Sequence, residues 1–297
     1  MPNPREGACW AFILGSFEFF VYGWYPDTEK WRVNLSFILL IFAIVGVLKE
    51  TLPGKKYWLW FAAAFPFIAA WLLLGGLGLQ PVETSKLGGI LLTIIIGVTG
   101  ISFSLPIGIV LALGRRSNMP ALKTVCVLFI EFIRGVPLIT LLFVASTMLT
   151  YFLPPGSTFD LLMRVLIMVT LFSSAYIAEV VRGGLQGLPP GQYEAADSLG
   201  LTYWKAHRLI ILPQALKISI PGIVNTFIGL FKDTTLVLII GMMDIVGLGR
   251  ARLNDPYWLG LAGELYLFIA IFFFICCFSM SRYSINLENK LSTGRRD

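Results

Sequence analysis

No charged residue interrupts the chain from Gly88 to Gly114, and from Trp258 to Met280 the only one is Glu264. Runs of roughly 18 or more apolar residues read as membrane-crossing helices. This constrains the fold more than any motif does. The rest of the sequence agrees: 57% of residues are hydrophobic, only 13% are charged and the mean hydropathy is +0.79. Soluble domains are nearer half apolar and about a quarter charged. A soluble enzyme, a disordered chain and a disulfide scaffold are excluded together. The four cysteines (Cys9, Cys126, Cys276, Cys277) have neither a disulfide-framework nor a metal-ligand spacing and read as packing residues.

Seven apolar stretches are expected to span, at about 33–48, 57–79, 88–113, 124–152, 162–181, 216–240 and 258–280. Lipid offers the backbone no hydrogen-bond partner, so the expected fold is an all-α transmembrane helical bundle. The preceding Cys9–Tyr25 is apolar but carries Glu18 and lacks a basic leader, and it reads as interfacial rather than as a signal peptide. Lysine and arginine collect in alternate connections. Fourteen of the 23 fall near residues 49–56, 115–123, 182–217 and 282–296, against six in the opposite set. Cytoplasmic loops retain such residues, which places the N-terminus outside and the C-terminus inside. The net charge of +6 therefore reports topology rather than nucleic-acid binding.

The connection at 183–215 carries its own pattern. Pro189, Pro190 and Gly191 break the chain. Gln192–Leu199 then reads as a short helix, with Glu194 in the first turn favoured by the helix dipole and Gly200 able to supply the positive φ that stops it. Tyr203 and Trp204 suit an interface, and Pro213 is expected to break the chain again.

These residues carry a resemblance. Glu194-Ala195-Ala196, then Gly200, Ile210 and Leu212-Pro213 resemble the EAA loop of ABC importer permeases. The flanking Phe132–Leu138, Ala178–Gln186 and Asn225 with Phe231–Val237 are similar to the polar amino-acid branch, especially the second permease subunit of general L-amino-acid importers. The resemblance covers about 88–290, and Cys9–Trp31 is similar to that subunit's N-terminal extracytoplasmic segment; longer relatives carry a further hydrophobic span upstream. It implies a type I importer fold with four parts: an extracytoplasmic segment (1–32), two accessory helices (33–87), a five-helix permease core (88–282) and a cytoplasmic tail (283–297). It also implies a location in the prokaryotic inner membrane. The implied partners are a second homologous permease, two ATP-binding subunits holding ATP and magnesium, and an extracytoplasmic amino-acid-binding protein, with an amino acid as substrate and membrane lipid around the chain. Tyr193, Glu194, Ala195, Ala196, Asp197, Gly200, Leu212 and Pro213 would then form the ATPase-coupling site. This chain has no G-x-x-x-x-G-K-[ST] loop and no loop long enough for a nucleotide domain, so energy must come from a partner.

Charges at membrane depth are costly and face protein or a water path. Glu131/Arg134 and Glu179/Arg182 are both E-x-x-R-G, a spacing that puts acid and base on one helix face. Each can neutralise itself, or they can pair crosswise as a gate; a static pair that fixes packing is the competing reading. Arg164, near an outer end, can snorkel. Phe231-Lys232-Asp233-Thr234-Thr235 interrupts an apolar segment expected to be broken already at Pro221-Gly222, and broken helices mark transporter sites. A zwitterionic amino acid needs an anion for its ammonium, which Asp233 supplies. Its carboxylate needs donors, which Asn225, Thr226, Thr234 and Thr235 offer. Thr226 lies two turns before Asp233 on the same face; basic-amino-acid relatives can be acidic there, so threonine argues against selection for arginine or lysine alone. The alternative is that Lys232 and Asp233 make structural contacts and the partner permease holds the substrate.

The single histidine, His207, is no metal site by itself and is assigned to loop packing or to contact with the ATPase. The glycines at 75–78 and 97–100 permit close helix approach. An ion-gradient-driven carrier or channel would show inverted repeats, of which only the short E-x-x-R-G echo is present. A membrane enzyme lacks a nucleophile–base or metal constellation.

Overall fold

The computed structural model describes residues 8–49, 51–152, 154 and 159–292, and almost all of them are helical. In chain order the helices are α1 (Ala11–Tyr22), α2 (Lys30–Leu48), α3 (Lys55–Leu74), α4 (Gly89–Arg115), α5 (Pro120–Gly135), α6 (Leu138–Phe143), α7 (Leu149–Phe152), α8 (Leu161–Gln186), α9 (Gly191–Ser198), α10 (Tyr203–Ala206), α11 (Leu212–Asp233), α12 (Ile245–Leu253) and α13 (Ala262–Ser292). Six segments are long and apolar enough to cross a membrane: α2 with its preceding turn, α3, α4, α8, the run Tyr203–Ile240, and Ala262–Leu291 within α13.

The apolar stretch 124–152 is not one straight helix. It is two, α5 and the α6 segment, meeting at 103°. Proline disfavours helical geometry in the residue before it, and Val136 ahead of Pro137 is extended, at φ −111° and ψ 134°. The pair still runs from one end of the bundle to the other. Glu131 of α5 meets Arg115 at the end of α4, whereas Ala145 and Ser146, beyond the bend, meet Arg164 at the start of α8. Counted as one span, the bent pair brings the candidate crossings among the described residues to seven. α4 and α8 run the same way, the bent pair returns between them, and the N-terminal segment and the α9 connection lie at opposite ends of the molecule.

Two expected breaks are absent. Pro221 lies inside a continuous α11, and Gly222 serves packing: a Cβ there would come within 2.6 Å of Val180 on α8. Pro213 is accommodated because a π turn, His207–Ile211, widens the helix just before it, the Leu212 N–H reaching back to the His207 carbonyl. Tyr203–Ile240 is consequently one helical segment, which tightens to a 3₁₀ run at Thr234–Ile240 and not at Pro221.

Two cores lie along the bundle, one uniting α2–α4, α8 and the 3₁₀ run, the other uniting α4, α5, α8 and α11 near the α9 end. A third, aromatic cluster holds α1 against α12 and α13 through Phe12, Phe20 and Leu265. The N-terminal helix thus lies as a 12-residue cap on the end away from α9.

Candidate functional site

α9 begins at Pro190, whose carbonyl accepts the Tyr193 and Glu194 N–H groups. Fixed φ suits proline to a helix start. It ends at Gly200 (φ +66°), where the Gly200 and Leu201 N–H groups bond back to Asp197 and Ala196. A Cβ on Gly200 would touch nothing within 4 Å, so glycine supplies conformation there rather than space. Ala196 is buried and roots the helix, while Glu194, Ala195 and Asp197 face outward. Leu199 (72% exposed) and Trp204 (71%) extend the outward face. Leu212 is half-buried and Pro213 exposed at the join between the π turn and α11.

Tyr193 points inward. Its hydroxyl donates to the Leu185 carbonyl at 3.1 Å and accepts from Arg116 Nη1 at 3.1 Å, and the guanidinium carbon sits 5.5 Å from the ring centroid. Gln192 Oε1 accepts from Gln214 Nε2 at 2.8 Å. His207 packs against Tyr203, ring centroids 3.9 Å apart, and its Nδ1 lies 2.9 Å from the Tyr203 carbonyl. The short helix is therefore tied to α4, α8, α10 and the start of α11.

One helical turn deeper lies a cluster of charges. Glu179 accepts from both Nε and Nη2 of Arg182, while its other oxygen lies 3.4 Å from Arg115 and 3.8 Å from Arg134. Arg182 also donates to Gln186 at 2.6 Å. Glu131 does not pair with Arg134, as its own i, i+3 spacing allows; it accepts from Arg115 at 2.8 Å. Arg134 turns instead toward Glu179 and the ring of Tyr176. One crosswise contact, Arg134 to Glu179, is present, and Arg115 bridges the two carboxylates. In the sequence Arg115 and Arg116 read only as topology charges; their signal is their position at the end of a span. Arg164 does not snorkel: it donates to the Ala145 and Ser146 carbonyls, at 3.2 and 2.7 Å, beside the π turn that follows α6.

The family model described as "Binding-protein-dependent transport system inner membrane component" matches residues 104–293, which include α9 and the charge cluster. The chain belongs to that family. This makes it the membrane permease subunit of an ABC importer, a multi-pass inner-membrane protein that is not itself the catalyst. It is 52% identical over 293 residues to the inner membrane amino-acid ABC transporter permease protein YhdY of Escherichia coli (strain K12), covering 98% of this chain and 80% of the relative. It is 46% identical over 350 residues to the glutamate/glutamine/aspartate/asparagine transport system permease protein BztC of Rhodobacter capsulatus, with the same coverage. Among solved structures, an amino acid ABC transporter crystallised with histidines superposes with a TM-score of 0.60 at 30% identity, over 68% of this chain and 92% of the other. The MetNI methionine transporter, at 21% identity and a TM-score of 0.52, shares the fold, over 66% of this chain and 91% of that one.

In this importer permease the second candidate cluster lies along α11, half-way up the bundle. Asn225 is exposed, Thr226 and Asp233 are half-buried and Thr234 is buried. The hydroxyls of Thr226, Thr234 and Thr235 donate to the carbonyls of Gly222, Phe231 and Lys232. A hydroxyl so engaged keeps acceptor capacity and can donate elsewhere only by rotating. Thr234, sealed against Gly97 of α4, is the member least open to a ligand. Among the described residues neither Lys232 nor Asp233 enters a salt bridge, although Lys232 is exposed and Asp233 stands seven residues from the end of the helical run.

Near the far end, Asp244 is wholly buried and caps α12, its Oδ1 accepting the Gly247 N–H at 2.9 Å while Oδ2 has no hydrogen-bond partner among the described residues. Burial pushes its carboxyl up to about 6. It sits where Met243 accepts the Gly89 N–H, at the joint between α4 and α12. No grouping of His, Cys, Asp and Glu able to hold a metal occurs among the described residues.

Proposed function

We propose that this chain takes up polar L-amino acids through a path beside α11, driven by ATP hydrolysis on partner subunits that dock on α9. Support for the substrate class comes from YhdY and BztC, both amino-acid permeases by name, and from Asp233, which enters no salt bridge among the described residues, beside hydroxyl groups within an apolar helical run. The observation that carries the coupling role is the double character of α9. It turns Glu194, Ala195, Asp197 and Leu199 outward, and it is fastened inward by Tyr193 to both α4 and α8.

In this reading the α9 end faces the cytoplasm of a prokaryotic cell, and two ATP-binding subunits hold ATP and magnesium. A second homologous permease completes the path, and an extracytoplasmic binding protein delivers substrate at the α1 end. A push on α9 reaches Arg116 and Leu185 first, and then the Arg115–Glu131–Glu179–Arg182 cluster, where α4, α5 and α8 meet. Breaking or remaking such pairs is a two-state event suited to alternating access. Asp233 would hold the ammonium group, and Asn225, Thr226 and Thr235 the carboxylate, with Thr234 fixing α11 on α4.

The test is uptake and ATP hydrolysis measured together in proteoliposomes of the full assembly. Glu194→Arg or Gly200→Val should let hydrolysis continue while uptake falls at least tenfold. Unchanged uptake in both variants, or accumulation by this chain alone without nucleotide, overturns the proposal.

A further inference from the structure

Between the α2–α3 hairpin and the α4/α8 pair lies a cavity of about 390 Å³. Three helices turn apolar stripes toward it at helical spacing: Leu91, Ile95, Val98 and Ile107 on α4, Leu162 and Leu166 on α8, and Ala69 and Leu73 on α3. From Leu91 to Ile107 the stripe runs about 24 Å at helical rise, most of the roughly 30 Å hydrocarbon thickness. The slot is thus long and parallel to the helices.

The hairpin joins the core at the α1 end, where Val33 and Leu73 share a buried cluster with Leu91, Leu92 and Leu162, and again half-way down. At the α1 end the hairpin and its connections are also bonded to one another: Arg32 donates to the Gln80 carbonyl at 2.7 Å, Tyr25 to the Leu73 carbonyl at 2.8 Å, and the Val82 N–H to the Leu74 carbonyl. Half-way down, Phe67 meets Phe103 edge to face at 5.6 Å, beside Pro66 within α3. Along the middle of the slot, Ala69, Ile95, Val98 and Leu166 remain half-buried, whereas Leu73, Leu91 and Leu162 near its α1 end are buried.

Water does not suit this space, since an ordered water needs two to four polar partners. Ser36 turns its hydroxyl to the Arg32 carbonyl and Thr84 turns its own to Asp160, which leaves Thr99 and Thr170 as the hydroxyls on the wall. An empty slot forfeits dispersion contacts along its whole lining. The surrounding solvent at this depth is hydrocarbon.

We infer that one acyl chain of a membrane phospholipid occupies this slot and cements the accessory hairpin to the permease core. The inference stands on membrane insertion alone and is independent of substrate or coupling.

The test uses the complete assembly reconstituted in lipid with a phosphatidylethanolamine carrying a diazirine half-way along one acyl chain. After photolysis, peptides are mapped by mass spectrometry. Labelling should concentrate at Ala69–Leu73 and Val98–Phe103, at least threefold over the exposed face of α13 at Ile271–Phe278. Ala69→Trp, which fills the slot, should remove that excess and leave α13 labelling unchanged; Thr99→Phe is the second variant should the first not assemble. Equal labelling of both faces, excess labelling that survives either filled variant, or cross-linking of these residues to another polypeptide overturns the inference. Excess labelling by a diazirine free fatty acid but not by the phospholipid overturns the assignment of the chain to a phospholipid.

Discussion

Replacing Glu179 with glutamine isolates charge from shape in the cluster below α9. Glutamine keeps a carbonyl oxygen to accept from Arg182, but three guanidiniums then face a single carboxylate, that of Glu131. At an effective dielectric of 20, a unit charge pair at 3.4–3.8 Å is worth about 4–5 kcal/mol, a figure that solvent reduces because Glu179 and Arg134 are 22% and 32% exposed. Arg115 retains Glu131 at 2.8 Å, so the loss falls on Arg134, whose remaining contact is the Tyr176 ring. The expected destabilisation is about 2 kcal/mol, between an exposed pair and a buried one. Thermal unfolding of the purified assembly should drop by roughly 4–8 °C. Adding Arg134→Gln to the variant should recover at least half of it, because the unpaired cation is gone. A melting temperature within 1 °C of the parent, or a double variant less stable than the single one, refutes the assignment of Glu179 as the shared anion.

Asp233→Asn should weaken uptake of several amino acids at least tenfold while assembly and basal ATP hydrolysis persist; normal transport kinetics would remove the ammonium-binding role. Tyr193→Phe removes one donated and one accepted hydrogen bond, each worth about 1 kcal/mol, and should raise the ATP hydrolysed per amino acid imported severalfold; an unchanged ratio in the same vesicles counts against the strut. At Gly184 a Cβ would stand 2.0 Å from the Ser219 hydroxyl and 2.5 Å from the Ala215 carbonyl, so Gly184→Ala should destabilise the α8–α11 contact by about 1–3 kcal/mol, read by thermal unfolding. Asp244 titrates near 6 in the fold against about 3.9 unfolded. Its proton therefore favours the folded state, and stability should fall as pH rises from about 4 to 6 and level off above. Asp244→Asn keeps the cap acceptor, so it should flatten that window and gain up to about 3 kcal/mol at pH 7.5; a melting curve with the parent's pH slope would exclude Asp244 as its source.

What was legible in the sequence was local. Long apolar runs fixed the spans, and the Pro-Pro-Gly to Gly200 interval placed α9 within a residue or two at each end, because a helix start and a positive-φ stop are written in neighbouring residues. The bend in the fourth span was equally local, since Val136-Pro137 already disfavours helix before the bend. Reading hydrophobicity without that rule joined α5 to α6. Pro213 and Pro221 misled in the opposite direction. A π turn placed before one lets the helix continue, and α11 runs on through the other, where Gly222 packs against Val180.

The charge cluster shows where such reading ends. The i, i+3 spacing allowed Glu131 and Arg134 to pair, yet Glu131 is taken by Arg115, sixteen residues earlier in sequence on another helix. A carboxylate on a helix face has one intrahelical partner at that spacing but several across a three-helix junction, and the packing of α4 against α8 decides which of them is within reach. Glu179 does keep its local partner, and gains two more. It therefore belongs to both descriptions at once. An anion shared by three helices couples their positions electrostatically, whereas two self-contained pairs would leave packing alone to hold α5 against α8.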